Sequence, residues 1–198
     1  MKYLILFFFL FISSLLSAQV TNPTSFSVSY FGETVIHPGL KMGLTYDLKR
    51  WEKSKTKRNG VKKNTIQGFE LSPTVGFYYH KDYQTGIFIL PEFSYTRTKT
   101  NGNFMTYGFG AGYMRSIIPS VYELNSNGEI EKIHTGNNYF VTNYFVSFGR
   151  DLTHKQKLPM KIFLKPQFMY ALPNYETGVL YFAFEFGISY KLTKKETK

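Results

Sequence analysis

Residues 181–192 read YFAFEFGISYKL, and every second side chain among them, Phe182, Phe184, Phe186, Ile188, Tyr190 and Leu192, is large and apolar. Tyr181, Ala183, Glu185, Gly187, Ser189 and Lys191 occupy the positions between. A period of two sends alternate side chains to opposite faces of a strand, so this stretch predicts a β-strand with one greasy face and one polar face. Whether the greasy face meets a protein core or lipid decides the fold.

The same pattern recurs near 24–32, 39–50, 65–80, 85–98, 103–115, 138–150 and 159–171, which with 178–192 makes eight strands separated by turn chemistry such as HPG, TNGN, NSNG and LPNYETG. One parity collects Leu40, Met42, Leu44 and Tyr46, then Phe69, Leu71, Val75 and Phe77, and continues in the later strands. The other collects Lys41, Glu70, Glu92, Lys161, Lys165 and Glu185 with Gly108, Gly110 and Gly112. The segment 138–150, NYFVTNYFVSFGR, is apolar on both parities and takes no orientation from its sequence.

A soluble sandwich or lipocalin-like barrel would turn the apolar set inward. Two features favour the reverse. Tyr46, Tyr79, Tyr95, Tyr113, Tyr170 and Tyr190 gather toward the ends of the apolar rows, as rings at a membrane interface do. The polar parity carries glycines and both signs of charge, which suits a narrow lumen filled by side chains and ion pairs. The expected fold is therefore all-β, an antiparallel up-and-down transmembrane barrel of eight strands with its apolar face on lipid. Pro73, Pro91 and Pro166 fall inside three strands with lipid-side parity, and β-bulges are expected there.

The N-terminus, MKYLILFFFLFISSLLSAQV, has Lys2, an apolar run and small residues up to Ala18, the pattern of a secretory signal peptide cleaved after Ala18. The apolar run is shorter than the roughly 20 residues that a membrane-spanning helix needs. The expected division is 1–18 signal, 19–192 barrel and 193–198 a short basic tail. With no cysteine in the chain, lipoprotein anchoring and disulfides are excluded. Aromatic residues make up 19% of the chain, 16 Tyr and 20 Phe against one Trp, a composition that leans to strand.

The final strand resembles the C-terminal assembly signal of bacterial outer-membrane barrels: in EFGISYKL a polar residue is followed by Gly187, aromatic Tyr190 and hydrophobic Leu192. The departures are Leu in place of Phe at the last position and the tail TKKETK beyond it. The resemblance implies recognition by the barrel-assembly machinery during insertion. With YFGETVIHPGLKMGLTY early and SVYELNSNGEIEKI between the fifth and sixth segments, nearly the whole mature length resembles outer-membrane β-barrel proteins of Bacteroidota. That implies a location, the bacterial outer membrane, and a fold, but no particular activity.

The formal charge is +11, and +10 once Lys2 leaves with the signal. Much of it lies in 49–64, where Lys49, Arg50, Lys53, Lys55, Lys57, Arg58, Lys62 and Lys63 face a single Glu52. Such a run is either a solvated loop or a surface for anionic lipid, lipopolysaccharide, acidic glycan or an envelope protein. Nucleic acid is not expected as a partner of an exported chain. In an even-stranded barrel with both termini in the periplasm, this connection falls on the periplasmic side, where turns are usually short. Either the basic segment is periplasmic or the first strand is misplaced.

A search for chemistry returns little. His37, His80, His134 and His154 lie in turns, loops or a strand end, no serine has a nucleophile-elbow setting, and no His, Asp and Glu cluster has metal-ligand spacing. Neither a cofactor nor a metal is expected. Lys41, Glu70, Glu92, Lys161, Lys165 and Glu185 read as a lumenal charge network that plugs the barrel. The expected function is a non-enzymatic membrane component that anchors or docks. A lipid-A or phospholipid hydrolase, with His80 as base, and a narrow conduit for small solutes are the alternatives.

Overall fold

The computed structural model describes residues 22–33, 37–56, 62–81, 84–124, 130–172 and 178–192. The expected signal peptide and the 193–198 tail lie outside them, as do Lys57 and Arg58. The strands are β1 (Ser25–Glu33), β2 (His37–Thr56), β3 (Lys62–His80), β4 (Gln84–Lys99), β5 (Asn103–Leu124), β6 (Ile130–Thr135), β7 (Asn138–Asp151), β8 (Met160–Leu172) and β9 (Val179–Lys191). One helical turn, α1 (Thr153–Gln156), links β7 to β8.

Eight strands close a ring in the order β1-β2-β3-β4-β5-β7-β8-β9, every neighbour antiparallel, with β9 returning to β1 from Ser25 opposite Lys191 to Glu33 opposite Ala183. Closure removes the unpaired edges that an open sheet would expose. From Gly187 the pairing runs through Ser29 to Lys41 in one direction. In the other it runs through Phe163, Gly149, Phe104, Thr98 and Ile66 to Glu52. The distance along β2 between those end points is the stagger that tilts the strands. The ninth strand, β6, folds back on the part of β5 that projects beyond the ring, with Leu124 opposite Ile130, so the segment around NSNG forms the expected hairpin. Its turn lies outside the described residues.

The exterior is apolar. Phe109, Phe168, Phe186 and Ile89 are each more than half exposed, whereas Lys41, Glu92 and Glu185 on the opposite faces of their strands are about 3% exposed or less. Burying one large apolar side chain is worth about 1.5–3 kcal/mol, while a folded domain is stable by only about 5–15 kcal/mol. A belt of such side chains needs an apolar solvent. Tyr79, Tyr113 and Tyr170 bound it on the side away from the termini, and Tyr46, Tyr95 and Tyr190 on the side of the termini.

Two details differ from the expectation, and a third supplies an orientation that the sequence left open. Proline does not produce bulges here: the register is unchanged across Pro73, Pro91 and Pro166. Pro73 and Pro91 lie opposite each other, and Pro166 lies opposite Phe184. An antiparallel residue directs its N–H toward only one neighbour, so each proline interrupts one ladder, β3 with β2, β4 with β5 and β8 with β7, and leaves the other whole. The bulge occurs instead between Asp47 and Lys49. Lastly, β7 turns Tyr139, Val141, Asn143, Phe145 and Ser147 inward and Phe140, Tyr144 and Phe148 outward.

Candidate functional site

The lumen has three levels. Away from the termini it is a packed apolar plug: Phe31, Tyr78, Phe88, Leu90, Met114 and Val141 are almost fully buried, and the Phe31 and Phe88 rings lie 5.0 Å apart. Glycines on neighbouring strands make room for these rings. A Cβ on Gly76 would fall against the Phe88 ring, and one on Gly86 against the Tyr78 ring. The glycine-rich parity therefore serves aromatic side chains as well as charges.

At mid-height the plug meets an ion cluster. Lys41 Nζ lies 2.7 Å from Glu92 and 2.6 Å from Glu185, and Lys165 Nζ lies 2.7 Å from Glu92 and 3.3 Å from Glu185. Two cations and two carboxylates thus close a neutral ring across the bore. Asn143 donates to Glu92 at 2.8 Å and to Gln167 at 2.9 Å, and Gln167 donates to Glu185 at 3.3 Å. Lys165 also stands 4.0 Å over the Phe145 ring. All four charges are nearly inaccessible, the setting in which each must be paired and hydrogen-bonded. Of the six charges expected to form a lumenal network, four meet here.

Glu70 and Lys161 lie lower, toward the termini. Thr96 donates to Glu70 at 3.0 Å, and Arg50 is 4.0 Å from Glu70. Lys161 stands 5.6 Å from the Phe104 ring. They line a polar recess of about 100 Å³, walled by hydroxyls such as Ser27, Ser72 and Thr106 and roofed by the ion cluster. It continues into a mouth of about 230 Å³ bordered by Arg50, Asp151 and Lys191. The recess opens on the side of the termini and is closed on the other.

The basic segment is the hairpin of β2 and β3, which projects past the ring at the same end as both termini. The first strand stands where it was expected, so the segment shares a side with the termini. Its charges divide between two faces. Arg50 turns to the mouth, where it bonds Asp47 at 2.9 Å, and Glu52 has the same parity. Lys49, Lys53 and Lys55 have the other parity, opposite Phe69, Thr65 and Lys63. Trp51 lies between them, donating to Gln67 at 3.1 Å, with its ring tilted against Phe69 at 5.5 Å and Tyr95 at 6.2 Å on the outer wall. The side chain of Lys62 is not among those described.

The assembly-signal residues lie in the strand that closes the ring. Gly187 is opposite Ser29 and Phe163, where a Cβ would meet the side chains of both. Tyr190 and Leu192 are on the outside, and Leu192 N–H donates to the Thr24 carbonyl at 2.9 Å. At the opposite end of the barrel, His37 Nδ1 is 2.5 Å from Glu33 and its ring lies 3.7 Å from that of His80, tilted by 35°. Among the described residues no group of three or more His, Cys, Asp or Glu is arranged to hold a metal ion.

Sequence reasoning missed Asn143, hidden in the strand it could not orient, and the outward cations Arg97 and Lys99 beside the hairpin. The alternation TRTK at 96–99 was the available signal for the latter pair.

An up-and-down ring with an apolar belt outside and charge sealed inside defines a membrane-spanning β-barrel. Among the solved structures that resemble the chain are two barrel domains. One is the β domain of the Bordetella autotransporter BrkA, at 9% identity and TM-score 0.38 over 84% of this chain and 68% of that one. The other is the N-terminal β-barrel domain of Pseudomonas aeruginosa OprF, at 12% identity and TM-score 0.39 over 86% and 98%. No protein-family model and no curated protein matches the chain.

Proposed function

We propose that the protein is a non-enzymatic component of the bacterial outer membrane, a structural and docking barrel whose basic hairpin contacts anionic lipid, lipopolysaccharide, glycan or an envelope protein. The observation that carries this reading is the contrast between a sealed lumen and a one-signed exposed face. Among the described residues, apolar packing and a neutral ion cluster fill the bore, and the hairpin offers lysines that meet no carboxylate. The sequence resemblance to Bacteroidota outer-membrane barrels supports the same location, and the terminal-strand motif supports insertion by the barrel-assembly machinery.

The test is mild detergent extraction of the protein from its native membrane, alongside a variant carrying Lys49→Gln, Lys53→Gln, Lys55→Gln and Lys63→Gln. Lipid or protein retained stoichiometrically by the parent and lost from the variant supports docking through the hairpin. Identical bound material on both overturns it.

A further inference from the structure

The β2 bulge decides which way the basic hairpin faces. On β2 the odd-numbered Lys41 points into the lumen, and unbroken alternation would aim Lys49, Trp51, Lys53 and Lys55 to the same side. The register shift between Asp47 and Lys49 inserts Leu48 and reverses the parity, because a one-residue slip exchanges the two faces of a strand. Lys49 therefore shares the outer face with Phe69, and Trp51 joins the outward rings of Phe69 and Tyr95.

Directly opposite residues of antiparallel strands share a face. Across β3, Gln67 is flanked by Trp51 and Arg97, and Thr65 by Lys53 and Lys99. Thr65 is only 4% exposed although it lies on this outer face, and its hydroxyl donates to the Lys53 carbonyl, while Lys53, Lys99 and Arg97 are themselves exposed. A lysine stem can cover such a ribbon while its ammonium group stays in solvent. Glu52, the single acid of the segment, is on the other face, and Arg50 is already bonded to Asp47. The outer face therefore runs without interruption from the apolar belt, through the Phe69, Tyr95 and Trp51 rings, to a group of cations with no acid among them.

We propose that this face binds the headgroup phosphates of anionic phospholipid in the leaflet on the side of the termini, with Trp51 at the interface and Lys53, Lys55, Arg97 and Lys99 on the phosphates. The site rests on the membrane-barrel reading above and narrows its anionic partner to lipid. Aromatic rings settle at the depth of the headgroups, and basic side chains next to the membrane surface are attracted to anionic lipid. A soluble acidic partner would require no continuity with the apolar belt. Lipid does, since its chains cover the belt while its phosphate lies beside the rings.

Trp51 is the only tryptophan in the chain and reports on its own site. The mature protein is refolded into phosphatidylcholine vesicles containing a small fraction of either brominated phosphatidylglycerol or brominated phosphatidylcholine, and quenching of Trp51 is compared. The expected result is at least about threefold stronger quenching by the anionic lipid at equal mole fraction. This preference should weaken in high salt and be lost when Lys53, Lys55, Arg97 and Lys99 are all replaced by Gln. Equal quenching by the two lipids would overturn the phosphate site while leaving a membrane-embedded barrel with another anionic partner. No quenching by either lipid, in protein that has entered the vesicles, would overturn the site, and protein that does not enter them would overturn the membrane reading.

Discussion

The ion cluster at mid-lumen and the basic hairpin below it are built from the same residue types under opposite rules. Lys41 and Lys165 are buried, and each reaches two carboxylates within 3.3 Å. Lys53, Lys55 and Lys99 are exposed and reach none among the described residues. Removing a charge from water demands a partner, so the lumen is neutral and specific. Where water remains, like charges can gather on one face at small cost, and that face stays available to something outside the chain. The two regions together separate what holds the barrel closed from what it can touch.

The largest effect should come from unbalancing the cluster. Glu92→Gln leaves Lys41 and Lys165 sharing Glu185, and breaking a buried pair in this way costs about 3–5 kcal/mol. Urea unfolding in detergent micelles, followed through Trp51, should show a correspondingly lower midpoint. Replacing Lys165 by Met and Glu185 by Gln together removes one cation and one anion, and should lose less than Glu92→Gln alone because no charge is left unpaired. If the single and double variants lose the same amount, neutrality is not what the cluster provides.

Deleting Leu48 probes the other region. It removes the extra residue of the bulge and returns Trp51 and the lysines to inner-face parity, so Trp51 should leave the Phe69 and Tyr95 rings and its emission should shift to the red. An unchanged spectrum would mean that the bulge does not set the facing of the hairpin. The smallest effect is expected from Lys53→Gln with Lys55→Gln, which removes no ion pair among the described residues and should alter stability by no more than about 0.5 kcal/mol per site. A large loss of stability in the same urea titration would give these lysines a structural role.

Much of this architecture was legible in the alternation. All eight barrel strands were found because one face of each repeats apolar residues, and the parity of Lys41, Glu92, Lys165 and Glu185 placed them in the lumen. Parity could not tell which charges would meet, because that depends on the stagger between strands. Phe31, Phe88, Leu90 and Met114 share the lumenal parity with the charges, so the rule of polar inside and apolar outside described only part of the bore. A small barrel packs its interior as a core, and a core accepts apolar side chains. The orientation of β7 was illegible for the same reason, since Val141 fills the plug while Phe140 and Tyr144 face outward.

The bulge left no trace in the sequence. Nothing in DLKRWEK marks Leu48 as an extra residue, whereas the three prolines, which looked like breaks, pass through without a register shift because each costs hydrogen bonding to one neighbour only. A single inserted residue changed the facing of the described β2 charges beyond it.

The central claim is that the belt faces lipid and the lumen is sealed. The chain has no cysteine, so a spin label can be placed at Phe109→Cys, in the outward belt, by one substitution and read by electron paramagnetic resonance after reconstitution into vesicles. The account predicts high accessibility to molecular oxygen, which concentrates in hydrocarbon, and low accessibility to a water-soluble nickel chelate. High accessibility to the chelate and low accessibility to oxygen would place the belt in water and contradict the membrane-spanning barrel.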